Sequence, residues 1–273
     1  MELALLIPYP DIGTVAFRIG PVAIRWYALA YVVGLMLAWW YVRRVAEKPL
    51  PKLMAKRDVD DLLMWATLGV VFGGRLGYVI FYKPGYYIDN LGEVLSLWRG
   101  GMSFHGGMLG VILAAILFAR ARKLNIFSVG DMCACAAPIG LFLGRLANFV
   151  NGELWGRATD ASWAMIFPDP RSGGVPRHPS QLYEAFLEGF VLFVLLFLLL
   201  RYTRARTRPG ELGGIFLMGY AVARIVSELF REPDAHLGFL FAGATMGQLL
   251  SVPMFLIGLY FVIRARRKAA LPT

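Results

Sequence analysis

Charge is what this chain has least of. Only 17% of its 273 residues are Asp, Glu, Lys or Arg, against about a quarter in a soluble domain, and that shortfall excludes an ordinary globular protein in water. Cysteine is nearly absent. Cys133 and Cys135 stand two apart inside one apolar run, which gives neither a disulfide framework nor the spacing of a metal site, and packing is their expected role. With three histidines in the whole chain, no metal and no cofactor is expected. Strict alternation of apolar and polar residues is also missing, so a membrane β-barrel is excluded.

What remains is apolar: 58% of the residues, with a mean hydropathy of +0.58. A helix needs about 20 mostly apolar residues to cross a bilayer, because only its own carbonyls can satisfy its amides there. Seven stretches qualify: Ile24–Tyr41, Asp61–Tyr82, Phe104–Ala119, Val129–Val150, Gln181–Leu200, Leu212–Phe230 and Met246–Ile263. The expected fold is therefore an all-α polytopic membrane protein of about seven helices, one transmembrane domain over 1–273. Residues 152–180 are too long for an ordinary connection and read as an external loop or small head. Leu91–Trp98 reads as a short interfacial helix.

The net charge of +10 does not point to nucleic acid, because alternate loops take most of it. Of 28 basic residues, 17 fall in four runs, Arg43–Arg57, Arg120–Lys123, Arg201–Arg208 and Arg264–Lys268. Basic loops stay cytoplasmic. The N-terminus is then outside and the C-terminus inside, as an odd number of spans requires. Small residues at four-residue spacing, Gly69, Gly73 and Gly77, Gly106 and Gly110, and Gly140 and Gly144, form ridges along which helices in lipid approach closely.

Ionisable groups inside spans are costly enough to mark function. Under this topology Tyr27 and His105 open inward-running helices, while Arg75, Arg145, Asn148, Arg224 and Glu228 lie in the last turns of outward-running ones, so all sit in the outer half of the membrane. Arg224 and Glu228, four apart, can pair on one face. Arg145 and Asn148, three apart, also share a face before the chain breaks near Asn151-Gly152 and delivers Glu153. Arginines facing one cavity repel unless an anion joins them, and a lipid phosphate has the oxygens to do so. Arg75 has two readings: a phosphate contact, or an ion pair with Asp131 or another acid.

The run Gly144-Arg145-Leu146-Ala147-Asn148-Phe149-Val150-Asn151-Gly152-Glu153-Leu154-Trp155-Gly156-Arg157 resembles the signature of the bacterial prolipoprotein diacylglyceryl transferases. Similar segments follow the family's order over nearly the whole chain: Ile24 to Tyr27, Gly73-Gly74-Arg75, Phe104 to Gly107, His178 to Glu184 and Arg224 to Asp234. Leu146 and Ala147 depart from it by little. The resemblance implies transfer of a diacylglyceryl group from phosphatidylglycerol to the lipobox cysteine that follows the signal peptide of a preprolipoprotein. The product is a thioether, glycerol 1-phosphate is released, and the setting is a bacterial cytoplasmic (inner) membrane, with the site near the outer leaflet. A monomer in the membrane is expected.

Such a reaction needs a thiolate and a stabilised phosphate leaving group. Imidazole titrates near neutrality, so His105 is the first choice of base, with Glu153 and Glu228 as alternative bases or arginine orienters. Arg145 and Arg224 would clamp the phosphate. Asn148 and Asn151 would position phosphate or glycerol hydroxyls, Tyr27 would complete the headgroup pocket, and Gly156 would give the loop a shape that a side chain would block. His178 and Glu184 read either as capping and packing residues or as anchors of a substrate loop. Arg231 reads as an interfacial, snorkelling side chain with a lipid role.

Overall fold

The computed structural model describes residues 7–10, 12–46, 53–233 and 238–270, without the side chains of Arg99 and Ala270. Lys48, Lys52 and Asp234, which the sequence reading placed in a basic run and in a family-like segment, lie outside the described residues. The chain opens with an antiparallel hairpin, β1 (Val15–Ile19) and β2 (Val22–Arg25). The fold is otherwise mostly helical, as expected, and this hairpin is the departure from all-α. Gly20, at φ +57, supplies the positive dihedral of a two-residue hairpin loop, and Ile24-Arg25 finish a strand where the first helix was expected to begin.

The helices are α1 (Trp26–Ala46), α2 (Lys56–Phe81), α3 (Pro84–Asp89), α4 (Phe104–Ala121), α5 (Ile126–Val150), α6 (Ser180–Glu184), α7 (Leu192–Tyr202), α8 (Glu211–Glu228) and α9 (Met246–Ala270). A π-helical stretch, Ala185–Val191, joins α6 to α7. Among the described residues, six helical segments are long and apolar enough to cross a membrane: α1, α2, α4, α5, Ser180–Tyr202 and α9. The chain is a multi-pass membrane protein. The remaining expected span is helical as α8, but its 18 residues carry Glu211, Arg224 and Glu228, so apolarity alone does not qualify it. The expected interfacial helix at Leu91–Trp98 is instead two single 3₁₀ turns, at Leu91–Glu93 and Leu97–Arg99, with the helix earlier at α3.

The chain divides into two compact units. In the unit Val42–Gly130, α2 and α4 interlock through their glycines. A Cβ placed on Gly77 would lie 2.7 Å from the Gly106 Cα, and one on Gly73 would lie 2.7 Å from the Gly110 Cα. The ridge read from the sequence is thus a backbone contact. Ser103 caps α4 by accepting from the Gly106 amide at 3.1 Å. Arg75, almost fully buried, ties the 91–101 segment to α2: it donates to the carbonyls of Val94 at 2.7 Å, Glu93 at 2.8 Å and Gly100 at 2.5 Å. Carbonyls, rather than Asp131 or another acid, take its guanidinium.

The other unit comprises Met1–Tyr41 and Asp131–Thr273. Asp131 does not seek an arginine. Its carboxylate accepts from the Gly210 amide at 2.8 Å and the Gly213 amide at 2.7 Å, capping the start of α8 from a neighbouring helix. Tyr9 satisfies the other end of α5 by donating to the Phe149 carbonyl at 2.6 Å. Beyond α5 the 152–180 segment is folded around Phe149, Met165 and Phe167, packed by Tyr9, Trp155 and Leu182.

Overpacking a close helix contact typically costs about 1–3 kcal/mol. Gly73→Val is therefore expected to lower the unfolding temperature measured in detergent. Gly92→Ala, whose added carbon meets nothing within 4 Å, should leave it unchanged.

Candidate functional site

Arg145, four residues before the α5 carbonyls capped by Tyr9, is met by two acids from the segment that starts at Ser180. Its Nε lies 2.7 Å from Glu184 Oε2 and its Nη2 lies 3.2 Å from Glu188 Oε2. Glu184 ends α6 and Glu188 lies within the π-helical stretch. A π-turn widens the helix locally and recurs at functional sites. Gly189, on the same stretch, lets it close on Phe142, where a Cβ would fall 2.6 Å from the phenylalanine's own Cβ.

Arg224 of α8 joins the same acids, with Nη1 at 3.3 Å from Glu184 and 3.6 Å from Glu188. Its Nη2 pairs with Glu228 one turn on, the pairing expected from their spacing. Arg231 donates to Glu184 Oε1 at 3.1 Å and is buried, so it is not a snorkelling side chain as expected. Tyr220 lies one turn before Arg224, with Glu188, Arg224, Arg145 and Glu184 as its charged neighbours.

Among the described residues, three guanidinium groups and three carboxylates therefore share one network. The expectation that the buried arginines need an outside anion is corrected: the chain itself supplies the counter-charges. Exposure is unevenly divided, since the Glu188 side chain is 0% accessible and that of Arg145 17%. Arg145 and Arg224 keep an open edge, and Arg231 and the acids do not.

Where α5 ends, Gly152 at φ +66 and Leu154 at φ +58 turn the chain back. A positive φ is uncommon for leucine and marks a backbone held by its surroundings. Here Gln181 donates to the Glu153 carbonyl at 2.7 Å and Ser180 to the Leu154 carbonyl at 3.1 Å. The Glu153 carboxylate accepts from Asn148 at 2.7 Å and from Asn151 at 3.3 Å. Glu153 thus orients two asparagines, not an arginine. Asn151 keeps its carbonyl oxygen buried with no hydrogen-bond partner among the described residues.

Gly156 pairs with Arg231 in an isolated bridge, and a Cβ there would lie 2.7 Å from the His178 carbonyl oxygen. Only glycine fits between these two strands of loop. Arg157 adds a clasp by donating to the carbonyls of Arg231 and Glu228, each at 3.0 Å. Close by, Trp163 donates to the Tyr183 hydroxyl at 2.7 Å, which lies 3.1 Å from His178 Nδ1. Burial holds the His178 imidazole below its ordinary range. His178 and Glu184 thus differ: the histidine packs the loop, and the glutamate holds three arginines.

Tyr27, at the start of α1, packs its ring at a tilt against that of Tyr31 and shares a 3.3 Å hydroxyl contact with it. Glu153 and Arg145 are its charged neighbours. His105 is exposed in the first turn of α4, its ring 5.6 Å from that of Phe104, and belongs with Arg75 to the unit Val42–Gly130.

Sequence reasoning missed Glu188, Tyr220 and Gly247. An acid four residues after Glu184 in an apolar run was a usable signal. A Cβ on Gly247, in the first turn of α9, would lie 2.7 Å from the Glu228 carboxylate carbon, and nothing in the sequence announces that contact.

Removing one partner of a buried ion pair strands the other and costs about 3–5 kcal/mol. Glu184→Gln is expected to lower the unfolding temperature strongly. Glu232→Gln removes a half-exposed partner of Arg177 and should cost under about 1 kcal/mol; equal effects would refute a central place for Glu184.

A profile of the family described as prolipoprotein diacylglyceryl transferase matches residues 14–264. A phosphatidylglycerol–prolipoprotein diacylglyceryl transferase of Paramagnetospirillum magneticum is 60% identical over 98% of this chain and 99% of its own length. Enzymes of the same name from Rhodospirillum rubrum, 57% identical over 96% of this chain and 95% of theirs, and Azospirillum brasilense, 56% identical over 97% and 99%, are similar throughout. With a match that runs through both units and includes every residue of the arginine–glutamate network, the chain belongs to the prolipoprotein diacylglyceryl transferase family.

Proposed function

We propose that this chain transfers the diacylglyceryl group of phosphatidylglycerol to the cysteine thiol of a prolipoprotein, the first step of lipoprotein maturation. The observation that carries the reading is end-to-end similarity at 60% identity to an enzyme of that name. In the reaction the sulfur attacks the glyceryl carbon that bears the phosphate. The S–C bond forms, the C–O bond breaks, its electron pair stays on the phosphate oxygen, and glycerol 1-phosphate leaves with the thiol's proton.

Arg145 and Arg224 are the proposed holders of that phosphate. Their accessible edges rest on inaccessible carboxylates, so positive charge faces the developing negative charge without reorganisation. The unpartnered Asn151 oxygen suits a glycerol hydroxyl donor. Asn148 and Glu153 hold that asparagine in place, and Tyr27 lies beside them. Arg231 and Gly156 support the site from behind. Arg75 is proposed to shape the 91–101 segment rather than to touch lipid, since carbonyls occupy its donors. His105 is the proposed base on its chemistry and its family-like motif, with Glu228 and Glu153 as alternatives.

The proposed setting is the cytoplasmic membrane of a bacterium, with α8 as the seventh span, the N-terminus outside, 152–180 as an external head and the lipobox cysteine presented at the outer leaflet. A charged span is tolerable there because its acids and bases are paired. The enzyme acts as a monomer.

Purified protein incubated with phosphatidylglycerol and a lipobox peptide should add a diacylglyceryl mass to the cysteine. Arg145→Ala should lose at least about 100-fold in kcat, and His105→Gln should remove the acid limb of the pH–rate profile. No mass increase with the unaltered protein rejects the activity; an unchanged pH profile in His105→Gln removes that residue as base.

A further inference from the structure

α9 begins at a capping box. Thr245 donates its amide to Gln248 Oε1 at 3.1 Å, and the Gln248 amide donates back to Thr245 Oγ1 at 3.3 Å. Met246 and Gly247 are thereby fixed as the first helical residues, and Ser251 Oγ secures the Gly247 carbonyl at 2.7 Å. Gly247 faces the network of the neighbouring helix. A Cβ built on it would overlap Glu228, 2.7 Å from the carboxylate carbon, and would stand 3.0 Å from Arg224 Nε. Of the glycines in the spans, it is Gly247 whose missing side chain is occupied by a carboxylate of the proposed site.

From this juxtaposition we infer that Gly247 is a positioning residue for the reaction: the space it leaves empty seats Glu228 against Arg224 and so aims the Arg224 guanidinium. The residues the added methyl would strike are the far ends of flexible side chains, not backbone. α9 can therefore keep its place while Glu228 is driven off Arg224. Other glycines in the same unit behave differently. Gly214 and Gly258 meet each other's carbonyl oxygens at 2.6 Å from an added Cβ, so substitution there separates helices. At Gly247 it disturbs chemistry before packing. The inference rests on the proposed roles of Arg224 and Glu228.

The experiment measures kcat/KM for diacylglyceryl transfer, with the unfolding temperature in detergent, for Gly247→Ala, Glu228→Gln, Glu228→Asp and the doubles of Gly247→Ala with each. Gly130→Ala, whose added carbon meets nothing within 4 Å, is the control for an alanine in a spanning helix and should match the unaltered protein. Gly247→Ala is expected to lose about 10- to 100-fold, the scale of an ångström-sized misplacement, with its unfolding temperature kept. Because it acts through Glu228, it should cost nothing further in the Glu228→Gln background. Shortening the acid by one methylene should make room for the methyl, so Gly247→Ala/Glu228→Asp should exceed Gly247→Ala alone.

Full activity in Gly247→Ala, or a loss that adds in full to that of Glu228→Gln, would overturn the inference. Full activity in Glu228→Gln would instead remove Glu228 from the proposed site. Should Gly247→Ala fail to accumulate, the double with Glu228→Asp decides: a folded, active double supports the seat, and an unfolded one overturns it.

Discussion

Moving a guanidinium or a carboxylate out of water costs several kcal/mol per ion, and attraction repays it only when the partners are close and well oriented. Arg145, Arg224 and Arg231 against Glu184, Glu188 and Glu228 meet that condition together, and much of the surrounding architecture serves it. The π-helical stretch at Ala185–Val191 contains one of the acids and follows directly on another. Gly189 brings that stretch against Phe142 on α5. Asp131 caps the helix that carries two of the arginine–glutamate partners, and Arg157 clasps the other end of the same helix.

Polar order also extends outward from the network along the signature loop. The turn at Gly152 and Leu154 brings Glu153 back under Asn148 and Asn151, and Ser180 and Gln181 hold that turn through its carbonyls. Residues 144–157 and 178–184, far apart in sequence, are therefore one piece of structure. Gly156 completes it by leaving room for the His178 carbonyl. Within these two stretches Arg157, Ser180 and Gln181 bind carbonyls of a neighbouring segment, whereas Arg145, Asn148 and Asn151 bind carboxylates.

Much of this was legible in the sequence where a local rule applied. Arg224 and Glu228 pair because four residues make one helical turn, and glycines at every fourth position on α2 and α4 mark a close helix contact. Apolar length marked the six segments that, among the described residues, form helices long and apolar enough to cross a membrane. The partners of Arg145 and Arg231 were not legible, because they lie on another segment and spacing along one helix says nothing about which face of a second helix meets it. The premise that the arginines need an outside anion failed for that reason, since Glu188 was a single acid in an apolar run; the premise went, and phosphate binding stays a proposal. The partners of Arg75 were hidden similarly, since main-chain carbonyls leave no mark in a sequence. The β1–β2 hairpin was hidden by a helix-like apolar run that begins two residues before α1.

The inaccessible carboxylates also set how the network answers to salt. Ions of the medium do not reach Glu184 or Glu188, whose side chains are 1% and 0% accessible, so their pairs with Arg145 and Arg224 are screened far less than a half-exposed pair such as Arg177 with Glu232. The placement of the guanidinium groups is therefore held across a wide range of ionic strength, while the accessible edges of Arg145 and Arg224 feel the medium directly.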